Sequence, residues 1–101
     1  MNRLIITDDD KLYRRIACRT EDEGDTPQRA NNVLDGFRLA MSQPADMIVV
    51  DISLHAADTL VETLRSRPAT ASIPLYVVKS GGRLPFELRR LCTDVLEAST
   101  L

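Results

Sequence analysis

Three short apolar segments that each end at charged residues constrain the fold of this chain more than any other feature. They are Leu4–Thr7, Met47–Val50 and Leu75–Val78, which are followed by Asp8-Asp9-Asp10, by Asp51 and by Lys79. Unbroken apolar runs of this length are typical of strands that are buried on both faces of a parallel sheet. The sequence therefore predicts three buried strands whose carboxyl ends carry charged groups.

The segments between these strands have the 3.6-residue period of amphipathic helices. The apolar stripes are Leu12, Ile16 and Ala17; Val33, Phe37 and Met41; Leu60, Val61 and Leu64; and Leu88, Leu91, Cys92, Val95 and Leu96. The last stripe predicts a final helix from about Pro85 to Ala98, and the polar segment 25–30 predicts at most a weak edge strand. Alternation of strands and helices indicates an α/β domain, with a parallel sheet and helices on both faces, over residues 1–101.

Composition narrows the possible classes of function. Thirteen Lys and Arg residues against fifteen Asp and Glu give a net charge of -2, so we expect no nucleic-acid partner and no anionic membrane surface. No apolar run approaches the roughly 18 residues of a membrane span, and no leader opens the chain, so we expect a cytoplasmic protein. The two cysteines, Cys18 and Cys92, have no partners at metal-ligand spacing and are interpreted as reduced core or half-buried thiols.

The carboxyl ends of the strands are the candidate functional site, because ligands of open parallel sheets bind there. Asp8, Asp9, Asp51 and Lys79 are expected to meet at this edge. Carboxylates 4 Å apart repel by about 4 kcal/mol per pair at an effective dielectric constant of about 20, so a cation must offset them. Mg²⁺ fits, because it accepts one or two carboxylates and keeps several waters.

These segments resemble the receiver domains of two-component response regulators, in which a histidine kinase phosphorylates an aspartate. The similarity covers most of the chain and rests on Leu4–Asp10, on Met47–Asp51 and on Pro68–Pro74 before the third buried strand. It implies a flavodoxin-like fold and Asp51 as phosphoacceptor. It also implies a Mg²⁺ ion held by Asp8, Asp9 and Asp51, and a sensor histidine kinase or phosphotransfer protein as partner.

The chain departs from the family pattern at several positions. Lys79 stands where the family has a Ser or Thr that senses the phosphoryl group, with Ser80 one place later. The loop after Asp51 is atypical, and its Ser53 and His55 are interpreted as exposed loop residues. The fourth helix and the fifth strand, which carries the family's lysine, are expected to be absent, which leaves four strands in the order 2-1-3-4.

Only two lysines occur in the chain, and Lys11 opens the first helix, so an active-site ammonium group must belong to Lys79. It either replaces the missing lysine as charge partner of Asp51 or neutralises the acidic cluster permanently. Without a fifth strand, Leu75–Val78 would be an exposed apolar sheet edge. We therefore expect a homodimer that pairs through this fourth strand or the last helix.

Three functions remain open at this point. The first is a stand-alone atypical receiver, not an enzyme, which passes its signal by contact with a downstream protein. The second is a phosphorylation-independent pseudo-receiver that serves as a dimerisation or interaction module. The third, remote for so short a chain, takes Asp8 and Asp10 as the nucleophile and acid of an aspartate-dependent phosphohydrolase.

Overall fold

The computed structural model describes all residues 1–101, and strands alternate with helices along the chain. The elements are β1 Asn2–Ile6, α1 Asp10–Asp22, β2 Thr26–Ala30, α2 Val33–Ser42, β3 Met47–Asp51, α3 Ala57–Ser66, β4 Leu75–Lys79, α4 Phe86–Arg89 and β5 Asp94–Glu97, followed by a 3-10 turn at Ala98–Thr100. No helix is long and apolar enough to cross a bilayer.

All five strands are parallel, in the order β2-β1-β3-β4-β5. The α/β class and the order of the first four strands are as expected from the sequence. Alternate residues of the central strands face opposite sides: Leu4, Ile6, Ile48 and Val50 join the core under α2, α3 and α4, whereas Ile5, Val49 and Val78 join a smaller core under α1. Because β1 and β3 are neighbours, their carboxyl ends lie side by side.

The prediction that the fourth helix and fifth strand are missing is wrong, and so is the prediction of a final helix from about Pro85 to Ala98. Helix α4 is a single turn, and β5 pairs in parallel with β4. The apolar stripe is divided, with Leu88 buried on α4 and Val95 half-buried on β5. The segment forms a strand despite its helical periodicity, because without β5 the backbone donors and acceptors of β4 would be unpaired at the sheet edge.

Strand β4 is consequently an interior strand with hydrogen-bonded neighbours on both sides. The expected homodimer rested on an exposed β4 edge, and that premise is wrong. The sheet edges are β2 and β5 instead.

Capping residues fix where the first two helices begin. The Asp9 carboxylate accepts hydrogen bonds from the backbone N–H groups of Lys11 and Leu12, so the N-cap of α1 is Asp9 rather than the neighbouring Asp10. Asn32 caps α2 by accepting a hydrogen bond from the backbone N–H of Asp35. Both caps lie at the carboxyl edge of the sheet and set the course of the loops there.

Candidate functional site

Asp51 is the last residue of β3 and is only 6% exposed. Its Oδ2 accepts a hydrogen bond from the Thr7 hydroxyl at 2.7 Å. Its Oδ1 accepts bonds from the hydroxyl and the backbone N–H of Ser53, at 2.7 and 3.0 Å. A buried carboxylate at a strand end is thus held by hydroxyl and amide donors rather than by a cation.

Thr7 links the ends of β1 and β3. Besides donating to Asp51, its hydroxyl oxygen accepts the N–H of Asp9 at 3.1 Å, and its own N–H bonds the carbonyl of Ala30 at the end of β2. Thr7 is 1% exposed, so these bonds are shielded from competing water. One side chain therefore sets both the orientation of the Asp51 carboxylate and the start of the loop into α1.

The acidic residues that follow β1 face different surroundings. The Asp9 carboxylate is occupied as the cap of α1, at 3.0 and 3.1 Å from its two amide donors. Asp8 is exposed, makes no side-chain hydrogen bond or ion pair, and lines a cleft of about 480 Å³ together with Asn31, Leu34 and His55. The Asp9 carboxylate therefore has a structural role, whereas the carboxylate of its neighbour Asp8 has no protein partner.

Lys79 does not contact Asp51. Its Nζ lies 2.6 Å from Oε2 of Glu97, its register partner on β5, and donates to the carbonyl of Gly82 at 2.9 Å. The other carboxylate oxygen of Glu97 accepts the N–H of Gly81 at 2.8 Å. The hydrogen bond from Lys79, reinforced by that from Gly81, holds the pKa of the Glu97 carboxyl below its ordinary value.

Arg29 on β2 places a cation beside the first loop, since its Nε donates to the Thr7 carbonyl at 3.5 Å. It pairs with Asp10 at 2.8 Å and packs over the ring of Tyr13, 4.8 Å from the centroid. Its guanidinium is committed to these partners on the outer side of β1. It leaves Asp8 and Asp51 without a paired positive charge.

The acidic edge offers oxygen donors for a metal ion without forming a closed cage. No three Asp, Glu, His or Cys side chains are grouped closely enough to hold a metal ion together. Mg²⁺ does not need such a cage, since it is usually bound through one or two carboxylates with water completing the shell. The hard oxygen donors at the ends of β1 and β3, with Asp8 unengaged, fit an ion held in this open manner.

Sequence reasoning missed four residues that shape this edge: Thr7, Ser53, Arg29 and Glu97. Thr7 carried a signal, because it is a polar residue placed directly between the apolar residues of β1 and the first aspartate. Ser53 is exposed as interpreted, but its hydroxyl also holds Asp51. Glu97 could not be identified while its segment was assigned to a helix, and Ser80, one place after Lys79, is exposed.

Comparison by sequence finds a relative among curated proteins. The chain is 38% identical over 72 residues to the photosynthetic apparatus regulatory protein RegA of Rhodovulum sulfidophilum. The match covers 69% of this chain but only 39% of that protein, so it spans about two fifths of the relative's length. No model of a protein family matches the sequence.

Comparison by structure gives close matches over nearly the whole chain. The response regulator receiver domain (CheY-like) from Methylobacillus flagellatus has a TM-score of 0.86 at 20% identity, covering 96% of this chain and 85% of that one. The response regulator TrrA from Thermotoga maritima, in complex with Mg²⁺-BeF, has a TM-score of 0.85 at 11% identity, covering 95% and 84%. The chain therefore has the fold of a response regulator receiver domain, and the resemblance predicted from its sequence is confirmed.

Proposed function

We propose that this chain is a receiver module of two-component signal transduction and that Asp51 is its phosphoacceptor. The observation that carries the proposal is the placement of a buried carboxylate at the end of β3, beside the end of β1 with its acidic residues. The similarity to a regulatory protein and to receiver structures supports the same function.

The reaction at Asp51 is a nucleophilic substitution at phosphorus. A carboxylate oxygen forms the new O–P bond while the P–N bond of a phosphohistidine breaks, and the imidazole nitrogen keeps the electron pair and takes a proton. The donor would be a sensor histidine kinase or a phosphotransfer protein. Such transfers depend on positioning and on stabilisation of charge more than on covalent help from the protein.

The two oxygens of Asp51 have hydrogen-bond donors of different burial, and this difference supports separate roles for them. Oδ2 is held by the buried Thr7 hydroxyl, whereas Oδ1 is held by Ser53, which is an exposed residue. The Ser53 hydroxyl can rotate to water at little cost, because a solvent-exposed donor loses no hydrogen bond in doing so. We therefore assign Oδ1 as the attacking oxygen and Thr7 as the residue that orients the carboxylate.

Mg²⁺ would be held through one or two of the carboxylates of Asp8, Asp9 and Asp51, with water completing its shell, and would neutralise charge on the phosphoryl oxygens. Asp8 is the ready ligand because its carboxylate is unengaged, whereas Asp9 and Asp51 would share theirs with hydrogen bonds already present. Lys79 is proposed as the charge partner of the phosphorylated site. The signal would pass to a downstream protein by contact.

A second candidate function is a phosphorylation-independent interaction module. The observation that favours it is the Lys79–Glu97 ion pair, which leaves Asp51 without a cationic partner. In this case the acidic edge carries no phosphate, and partners recognise the surface as it stands.

Intact-mass measurement after incubation with acetyl phosphate and Mg²⁺ separates the candidates. The first predicts one phosphoryl adduct, absent without Mg²⁺ and in Asp51→Asn, and retained in the matched control Asp58→Asn, which changes an exposed aspartate of α3. An unmodified protein that still binds its partner supports the second. Continued release of phosphate from phosphate esters would instead support a phosphohydrolase.

A further inference from the structure

We propose that Glu97 is a positioning residue: its ion pair with Lys79 keeps the ammonium group away from Asp51. Lys79 is then unavailable as a charge partner of the acidic edge until this pair is broken. The inference rests on the proposed function in one respect, the role of Lys79 beside a phosphorylated Asp51. The pairing itself is argued from geometry and can be tested without phosphate.

Strand register places Lys79 between two competing carboxylates. On one side, Asp51 of β3 pairs in register with Val78 and shares its face of the sheet, so Lys79, one residue later, starts from the opposite face and can approach Asp51 only over the carboxyl end of β4. On the other side, Lys79 is directly opposite Glu97 of β5. Lys79 is the last residue of β4, so its flexible four-carbon stem has room to turn over the strand end, but Glu97, on the same face, holds its ammonium group at 2.6 Å.

The surroundings of Lys79 make Glu97 essential to this placement. Lys79 lines a cleft of about 570 Å³ with Arg83 and Arg89, two further cations. Like charges at close range repel, so the ammonium group stays in this cleft because Glu97 offsets the repulsion. Without the Glu97 charge, the arginines on one side and the carboxylates of Asp8 and Asp51 on the other drive Lys79 toward the acidic edge.

Glu97 also ties this switch to the loop after β4. Its carboxylate accepts the N–H of Gly81 at 2.8 Å, and Lys79 donates to the carbonyl of Gly82. Both glycines have positive φ, 72° and 67°, a conformation that glycine adopts without steric cost. Release of Lys79 therefore removes one of the two side-chain tethers of this turn.

Carbodiimide cross-linking tests the placement directly, since it joins an amine and a carboxylate in contact as an amide with loss of water. Peptide mass spectrometry of the wild-type chain should find Lys79 joined to Glu97. In Glu97→Gln we expect Lys79 joined to Asp51 or Asp8, whereas the matched control Glu87→Gln, an exposed acid on α4, should behave as wild type.

The rate of adduct formation with acetyl phosphate and Mg²⁺ gives the second readout. Glu97→Gln should raise this rate by roughly 3- to 5-fold, the factor expected for release from one partly exposed ion pair. The increase should vanish when Lys79→Ala is added.

The outcomes separate this inference from the proposed function. If Lys79 forms no cross-link to the acidic edge in Glu97→Gln, the inference is overturned, even where Asp51 is phosphorylated normally. If the cross-link shifts to Asp51 or Asp8 but no variant forms an adduct, Glu97 positions Lys79 and the proposed function fails. A shifted cross-link with an adduct rate equal to wild type would overturn the role of Lys79 as charge partner.

Discussion

Gly36 illustrates how packing at the site's scaffold overrides a local propensity. It lies within α2, where Ala is favoured over Gly by about 1 kcal/mol, so propensity alone predicts that Gly36→Ala stabilises the protein. An added Cβ, however, would lie 2.7 Å from Cδ1 and 3.0 Å from both Cγ atoms of Ile6. Ile6 is fully buried on β1, so its side chain has little room to move aside.

Overpacking of this kind costs about 1–3 kcal/mol, which exceeds the propensity gain. We expect Gly36→Ala to lower the free energy of unfolding by about 1 kcal/mol, measured by urea denaturation. Ile6→Val removes Cδ1, the closest atom, so the second substitution should cost less in that background. Stabilisation by Gly36→Ala in the wild-type chain, or equal costs in the two backgrounds, would refute the packing argument.

Three further predictions concern stability and reactivity away from Asp51. Arg65→Lys should lower the free energy of unfolding, measured by urea denaturation, by about 1–3 kcal/mol. The Arg65 guanidinium donates to three backbone carbonyls at 2.6–2.8 Å, and an ammonium group cannot reproduce its planar, forked geometry. An unchanged midpoint of the urea transition would contradict this. Since the pKa of Glu97 is lowered in the folded state, its pairing with Lys79 stabilises the protein above the ordinary glutamate pKa and is lost as pH falls through the lowered value. The stability difference between wild type and Glu97→Gln should therefore shrink below about pH 4, and a constant difference would count against the pair. Burial raises the pKa of the Cys92 thiol, so iodoacetamide at pH 8 should label exposed Cys18 faster, and equal rates would argue against the burial of Cys92.

The central strands were predictable because short, unbroken apolar runs of this kind are typical of interior strands of a parallel sheet. Leu4, Ile48 and Leu75 are all buried as expected. The structure of the last quarter of the chain was not predictable from its apolar pattern. The spacing of Leu88 and Val95 fits one long amphipathic helix as well as it fits a short helix followed by a strand. Only the hydrogen bonds offered by the edge of β4 decide between the two.

The site was predictable in outline but not in its hydrogen bonds. Strand order alone brings Asp51 beside the end of β1, so the acidic edge could be inferred from two sequence segments. The ion-pair partner of Lys79 could not be inferred in this way, because the pairing with Glu97 depends on the register between β4 and β5, which the sequence did not reveal. The choice of Asp9 as a helix cap likewise depends on where α1 begins by a single residue.

The most direct test of the account is to locate the phosphoryl group after incubation with acetyl phosphate and Mg²⁺. Reduction by borohydride converts a phosphorylated aspartate to homoserine and leaves other aspartates unchanged, so peptide mass spectrometry identifies the acceptor. We predict homoserine at position 51 alone. Homoserine at position 8, 9 or 10, or none at any position, would contradict the claim that Asp51 is the phosphoacceptor.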